Sequence, residues 1–214
     1  MILLLAASLL LQVQQQQSGY RIAPVDDTTR DRTYENFVKK LNKVAVKRDV
    51  KAFRKLCADD IVTGTGRKTD PEEKGWKAFE ERWKPASPDT ELWETITDVL
   101  SLGSVRMHPR LYVAPYLVWK FPNNLSPRRY WVMVRDQVPL RETPDRDGRQ
   151  IAALSFDVVE VIGQEAGEWV HIRSGSRRGY VPANTIRSSI TARAQFAQED
   201  QGWRLVALEV PPPE

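Results

Sequence analysis

The chain has 214 residues, 41% of them hydrophobic, with 32 Lys and Arg set against 28 Asp and Glu for a formal charge of +4. That length accommodates one large domain or two modest ones and can bury a sizeable core. The two signs of charge interleave and no run of five like charges occurs, which argues against a nucleic-acid-binding stripe.

Residues 2–11 form an apolar run, too short for the roughly 20 residues that cross a bilayer. It fits the apolar centre of a secretory signal peptide over residues 1–17, which predicts a periplasmic or secreted protein with no membrane span after removal. No Lys or Arg precedes the run and no A-x-A site follows it, so the alternative is a hydrophobic start that anchors or packs. Gln14 to Gln17 and Ser18-Gly19 read as a solvated spacer, and no Cys follows to carry a lipid.

From Thr33 the period becomes helical. Tyr34, Phe37, Val38, Leu41, Val44 and Ala45 share one face, with Lys39, Lys40, Lys43 and Lys47 opposite. Asp49 caps a second short helix through Phe53 and Leu56. Asp59-Asp60 ends it, and Ile61-Val62-Thr63 begins extended chain. Gly64-x-Gly66 with Arg67-Lys68 lacks the spacing and the Lys-Ser/Thr of a phosphate loop and reads as a turn. Asp70, Pro71 and Glu73 predict the start of a helix carrying Trp76, Phe79 and Trp83, ended by Pro85. After Ser87-Pro88, Leu92, Trp93, Ile96, Val99 and Leu100 share a face, with Gly103 past the end. Residues 111–119 are apolar, aromatic and β-prone, although Pro115 argues against a regular central strand. The turn cluster 121–127 marks a boundary.

Between Trp131 and Ile190 the pattern is all β. Val132, Val134, Val138 and Leu140 lead to Arg141 and the turn Thr143-Pro144-Asp145. Then come 151–154, 158–162, 169–172, 178–182 and Ile186, each short and each alternating apolar with polar residues. One buried face per strand suits a small barrel with a filled interior. The order Val138-x-Leu140-Arg141-x-x-Pro144, Leu154, Val159-x-Val161, Trp169-Val170-x-Ile172 and Gly179-Tyr180-Val181 resembles the bacterial SH3-like domain. Gly179 is expected where another backbone comes close. The resemblance implies a non-catalytic binding module of envelope and secreted proteins.

Residues 191–197 and 203–208 alternate about the turn Glu199-Asp200-Gln201-Gly202, a hairpin. It resembles the closing hairpin of nuclear-transport-factor-like α+β cones, whose opening the first helices also fit. The resemblance implies an α+β protein in which residues 27–130 and 191–210 form one domain, with the SH3-like barrel 131–190 inserted. The whole pattern looks like secreted bacterial SH3-domain-containing proteins.

Chemistry is sparse. The single cysteine, Cys57, sits behind Phe53 and Leu56 and reads as a buried, inert thiol. His108 and His171 lie in different units and neither has an i, i+4 partner, so no metal ligand set, no cofactor and no catalytic residue is predicted. The expectation is an exported, non-catalytic adaptor that recognises cell-wall peptide or an extended segment of an envelope protein. Candidate contacts are Arg141, Asp145, Trp169, Arg178 and Tyr180, with Trp169 expected more in the core than on the surface. The alternative is a small enzyme or ligand carrier with a pocket lined by Trp76, Trp83, Trp93 and Tyr116, although aromatic stripes at helical spacing are more often core. An open cavity against closed ring packing separates the two.

Overall fold

The computed structural model describes residues 19–64, 73–164 and 168–211. The expected signal peptide, Asp70, Pro71 and Gly66 lie outside them. The chain divides into two compact units, one of Arg129–Arg187 with the described residues up to Arg21, the other of Ile22–Arg128 and Ser188–Glu214. The fold is α+β with an all-β SH3-like unit inserted.

In the α+β unit, α1 (Arg32–Val46) begins at Asp31, whose carboxylate accepts from the Thr33 and Tyr34 amides at 2.8 and 3.2 Å. That cap satisfies two of the amides that a helix start leaves unpaired. The α1 face of Tyr34, Phe37, Leu41, Val44 and Ala45 is buried. Asp49 caps α2 (Val50–Arg54) through the Ala52 amide at 2.9 Å. Strand β1 spans Cys57–Gly64, so extended chain starts four residues before Ile61, with Asp59 and Asp60 exposed on the strand. Helices α3 (Gly75–Trp83) and α4 (Leu92–Ser101) follow. Here α3 starts later than the sequence suggests, because Lys74 is extended and bridges to Val62 of β1.

Strands β2 (Val105–His108) and β3 (Leu111–Ala114) form a hairpin, after which α5 covers Tyr116–Lys120. The β-prone run 111–119 is thus half helix. Pro115 has no amide for the ladder, and its φ of −76° sits where a first helical turn can follow.

The α+β sheet has the order β1-β12-β11-β3-β2, where β11 is Arg193–Glu199 and β12 is Gly202–Glu209. The last two strands therefore fill the interior of a sheet begun before the insertion, with β1 and β12 parallel and the other pairs antiparallel. The helices bury their apolar faces on it. Tyr34 stacks on Tyr112 with centroids 3.8 Å apart and meets Trp203 edge-on at 5.0 Å, while the Trp203 indole donates to Thr33 Oγ1 at 2.9 Å.

The inserted unit comprises β4 (Tyr130–Met133), β5 (Val138–Arg141), β6 (Gln150–Leu154), β7 (Val158–Gln164), β8 (Trp169–Ser174), β9 (Arg177–Pro182) and β10 (Ile186–Arg187). Its order is β10-β4-β7-β8-β9-β5-β6, with antiparallel neighbours throughout. The sheet curls around Met133, Val138, Leu140, Leu154, Val159, Val170, Ile172, Val181 and Ile186. In this order β10 and β6 stand at the two ends, so the barrel is open rather than closed. Tyr20 and Arg21 join it: the Val158 amide donates to the Tyr20 carbonyl at 2.7 Å, and Arg21 pairs with Asp157 at 3.2 Å.

Gly179 stands where β9 crosses β5. A Cβ there would lie 2.3 Å from the Arg141 carbonyl oxygen and 3.1 Å from Leu140 carbons. The obstacle is backbone, so it cannot swing aside. Gly179→Ala is expected to destabilise the barrel by about 1–3 kcal/mol, typical of an overpacked methyl. Thermal melting is the check; an unchanged melting temperature would mean that the β5–β9 contact is loose.

Candidate functional site

Strand pairing places a defined set of side chains on the outer surface of β8, β9 and β5. Trp169 pairs with Pro182, His171 with Tyr180 and Arg173 with Arg178 across β8–β9, and Tyr180 pairs with Arg141 across β9–β5. Val170, Ile172, Val181 and Leu140 alternate with these and point into the core. Continuing the antiparallel register by one pleat sets Pro139 beside Pro182, and β6 adds Ala153 opposite Pro139. The outer face therefore carries an apolar row of Trp169, Pro182, Pro139 and Ala153. The next row is His171, Tyr180 and Arg141, with the His171 and Tyr180 rings stacked at 4.5 Å.

A groove of about 460 Å³ lies over the first row. Its floor is Trp169, Pro182 and Pro139. On the β5 side it is bounded by Arg141 and by Arg146 of the following loop, and on the β8 side by Glu168. Ala183 and Asn184 complete it; they belong to a 3-10 turn tied down by the Ala183 amide, which donates to the Glu168 carbonyl at 2.7 Å.

The loop between β5 and β6 is held by its own polar contacts. Glu142 accepts two bonds from the Arg149 guanidinium, at 2.9 and 3.0 Å. Asp145 accepts from the Asp147 amide at 2.9 Å, and the Thr143 hydroxyl foremost holds its carboxyl below the usual range. Arg141 Nη1 donates to the Gly148 carbonyl at 2.6 Å, while its Nε is buried with no partner among the described residues.

Of the five residues singled out from sequence, Arg141 and Trp169 line the groove. Trp169 is half-buried on the outer face rather than in the core, because its neighbour Val170 takes the inward position. The other three are not among the groove's lining residues. Asp145 organises the loop, Tyr180 is covered by His171 one row away, and Arg178 stands a further row off, exposed beside Arg173. Pro139, Arg146, Glu168, Pro182 and Asn184 were not anticipated. The signal for Pro139 and Pro182 was present, since each lies two residues from Arg141 or Tyr180 on the same pleat face.

Beneath the Arg173 row lies an ion cluster. Glu160 of β7 is buried and accepts from Arg173 Nε at 2.6 Å and from Arg129. The Arg173 guanidinium foremost, with that of Arg129, holds its carboxyl below the ordinary range. Arg173 is thereby held against β7.

The aromatic residues of the α+β unit are packed, not open. Trp83 and Trp93 are 6% and 3% exposed and belong to the core. Trp83 donates to Thr63 Oγ1 at 2.9 Å, and Trp93 meets Phe53 edge-on at 5.3 Å. Trp76 is half-buried against Phe79 at 5.4 Å, with the Arg54 guanidinium 5.2 Å from its ring centre. Tyr116 is buried. The expected Trp-lined pocket is therefore a filled core; only Trp93 reaches the floor of a shallow hollow beside α4. A wider concavity of about 940 Å³ holds Arg54, Arg110 and Arg204 with Cys57. Its guanidiniums are engaged: Arg54 and Arg110 donate to backbone carbonyls, and Arg204 donates to the Trp203 carbonyl and to Gln201. Burial pushes the Cys57 thiol up, away from the thiolate that nucleophilic chemistry needs. Among the described residues no group of three His, Cys, Asp or Glu gathers to hold a metal, and no helix is long and apolar enough to cross a membrane.

Residues 134–188 match the family model of the bacterial SH3 domain. No curated protein matches the chain. Among solved structures, the chain is similar to an NTF2-like protein of unknown function from Pseudomonas putida KT2440, at 11% identity over 88% of this chain and 90% of that one, with a TM-score of 0.31.

The ion cluster sets a pH dependence. Because folding lowers the Glu160 pKa, its contribution is complete above the ordinary value near 4.5 and is lost as the pH falls through the lower folded value. Both arginines are partly exposed, so the gain is screened. Glu160→Gln is expected to cost about 1–3 kcal/mol at pH 7 and to flatten the loss of stability below pH 4.5. Denaturant titrations at pH 7 and in acid read both; equal destabilisation at every pH would contradict the assignment.

Proposed function

We propose that this protein is an exported, non-catalytic binding protein whose barrel groove holds an extended peptide, with cell-wall peptide as its ligand. The observation that carries this is the apolar row of Trp169, Pro182 and Pro139, half-buried along a groove and edged by arginines, on the part of the chain that matches the bacterial SH3 domain. Domains of this family typically bind peptides. An extended chain laid across β8, β9 and β5 covers the row with small side chains, while the indole supplies a rigid contact that loses little conformational entropy. The apolar run at residues 2–11 supports export.

Calorimetric titration with soluble cell-wall peptides tests the reading. The protein is expected to bind, and Trp169→Ala to weaken binding about tenfold or more, as loss of a central aromatic contact does, with a small change in melting temperature. Absence of heat with any cell-wall fragment, alongside binding of an extended protein segment, would move the ligand to a protein partner. Protein recovered from the envelope is expected to lack residues 1 to about 17; intact Met1 on cytosolic protein would contradict export.

A further inference from the structure

We propose that the groove reads a free carboxylate on its peptide through Arg141 and Arg146, so that the acid end of the ligand lies at the loop between β5 and β6. This deepens the peptide-binding reading and rests on it. Three observations carry it. First, Arg141 is oriented before any ligand arrives. One Nη1 donor is fixed on the Gly148 carbonyl at 2.6 Å, which sets the guanidinium plane, and Nε is buried without a partner among the described residues. Nε is thus out of a ligand's reach, and Nη2 is left to make a single charge-assisted contact with a carboxylate.

Second, two carboxylates of the loop, Asp145 and Glu142, are already engaged. Asp145, the acid that faces Arg141, is bound by the Thr143 hydroxyl and the Asp147 and Gly148 amides. It offsets the Arg141 charge in part without bonding to it. Glu142 is bound twice by Arg149. Arg146 is exposed on the groove and forms no ion pair among the described residues. Two guanidiniums thus edge one side of an apolar floor, a pairing that a neutral peptide alone would leave unused.

Third, the groove is polarised. Glu168, exposed on the β8 side, repels a carboxylate and favours an amine. A peptide lying across the floor is therefore directed, with its acid toward Arg141 and Arg146. Arg178, one of the candidate contacts read from the sequence, is not among the lining residues.

The test compares N-acetyl-trialanine bearing a free carboxylate with its C-terminal amide, titrated against the full chain while backbone amide shifts are followed. The acid is expected to bind roughly five- to tenfold tighter than the amide, the effect of one charge-assisted contact at a partly exposed site. That preference should shrink in Arg141→Gln and Arg146→Gln and persist in Arg177→Gln, a charge control outside the groove. Arg146→Gln keeps the test sound if loss of the Gly148 contact disturbs the Arg141→Gln loop. Rising salt should erode the preference. Acid and amide binding equally would overturn the carboxylate assignment and leave the peptide groove standing. Failure of both peptides to shift any groove amide would remove both readings together.

Discussion

The close approach of β9 to β5 at Gly179 is the constraint on which the surface chemistry of the barrel depends. With a hydrogen where other residues carry Cβ, Gly179 lets the Arg141 carbonyl come near enough for Tyr180 and Arg141 to stand opposite each other. That register decides which residues face out. It sends Leu140 and Val181 inward and places Pro139 beside Pro182, with Trp169 on the next strand. A slip of one residue would exchange the faces, burying Arg141 and exposing Leu140. The groove is thus a consequence of strand register, and Arg141 and Arg146 add charge to a floor that the register has already laid down.

The two units use aromatic residues in opposite ways. In the α+β unit Tyr34, Phe53, Phe79, Trp83, Trp93, Tyr112 and Trp203 interlock, and helices and sheet close over them. That unit cannot be completed until the chain returns from the insertion, because β11 and β12 occupy the interior of its sheet. In the barrel the fully buried residues are Val, Leu, Ile and Met, with Trp131 half-buried against them, and Trp169 is left on the outer face.

Much of the fold was legible in sequence because it follows from periodicity. The 3.6-residue spacing of Tyr34, Phe37, Leu41 and Val44 and the period of two in Val170 and Ile172 each report which face is buried. Periodicity failed where local chemistry overrode it. Tyr116–Lys120 reads as strand from its β-branched and aromatic content, yet Pro115 stops the ladder and a helical turn follows. Lys74 stays extended to meet β1, which delays α3. The groove was half legible. Arg141 and Trp169 lie on strands, where parity gives orientation. Arg146 lies in a loop whose path is set by the hydrogen bonds of Asp145 and Glu142, and no spacing rule reports that path. Arg178 shares the outer face but stands two rows from the groove, because parity gives the face of the sheet and not the distance along it.

Where a bound peptide lies is the most direct question to put to the molecule. Backbone amide shifts recorded on the full chain with saturating soluble cell-wall peptide should move within residues 139–148, 168–172 and 180–185, with those of α1, α4 and β12 unchanged. Shifts centred instead on the concavity of Arg54, Arg110 and Arg204, or spread evenly over both units, would contradict the assignment of binding to the barrel groove.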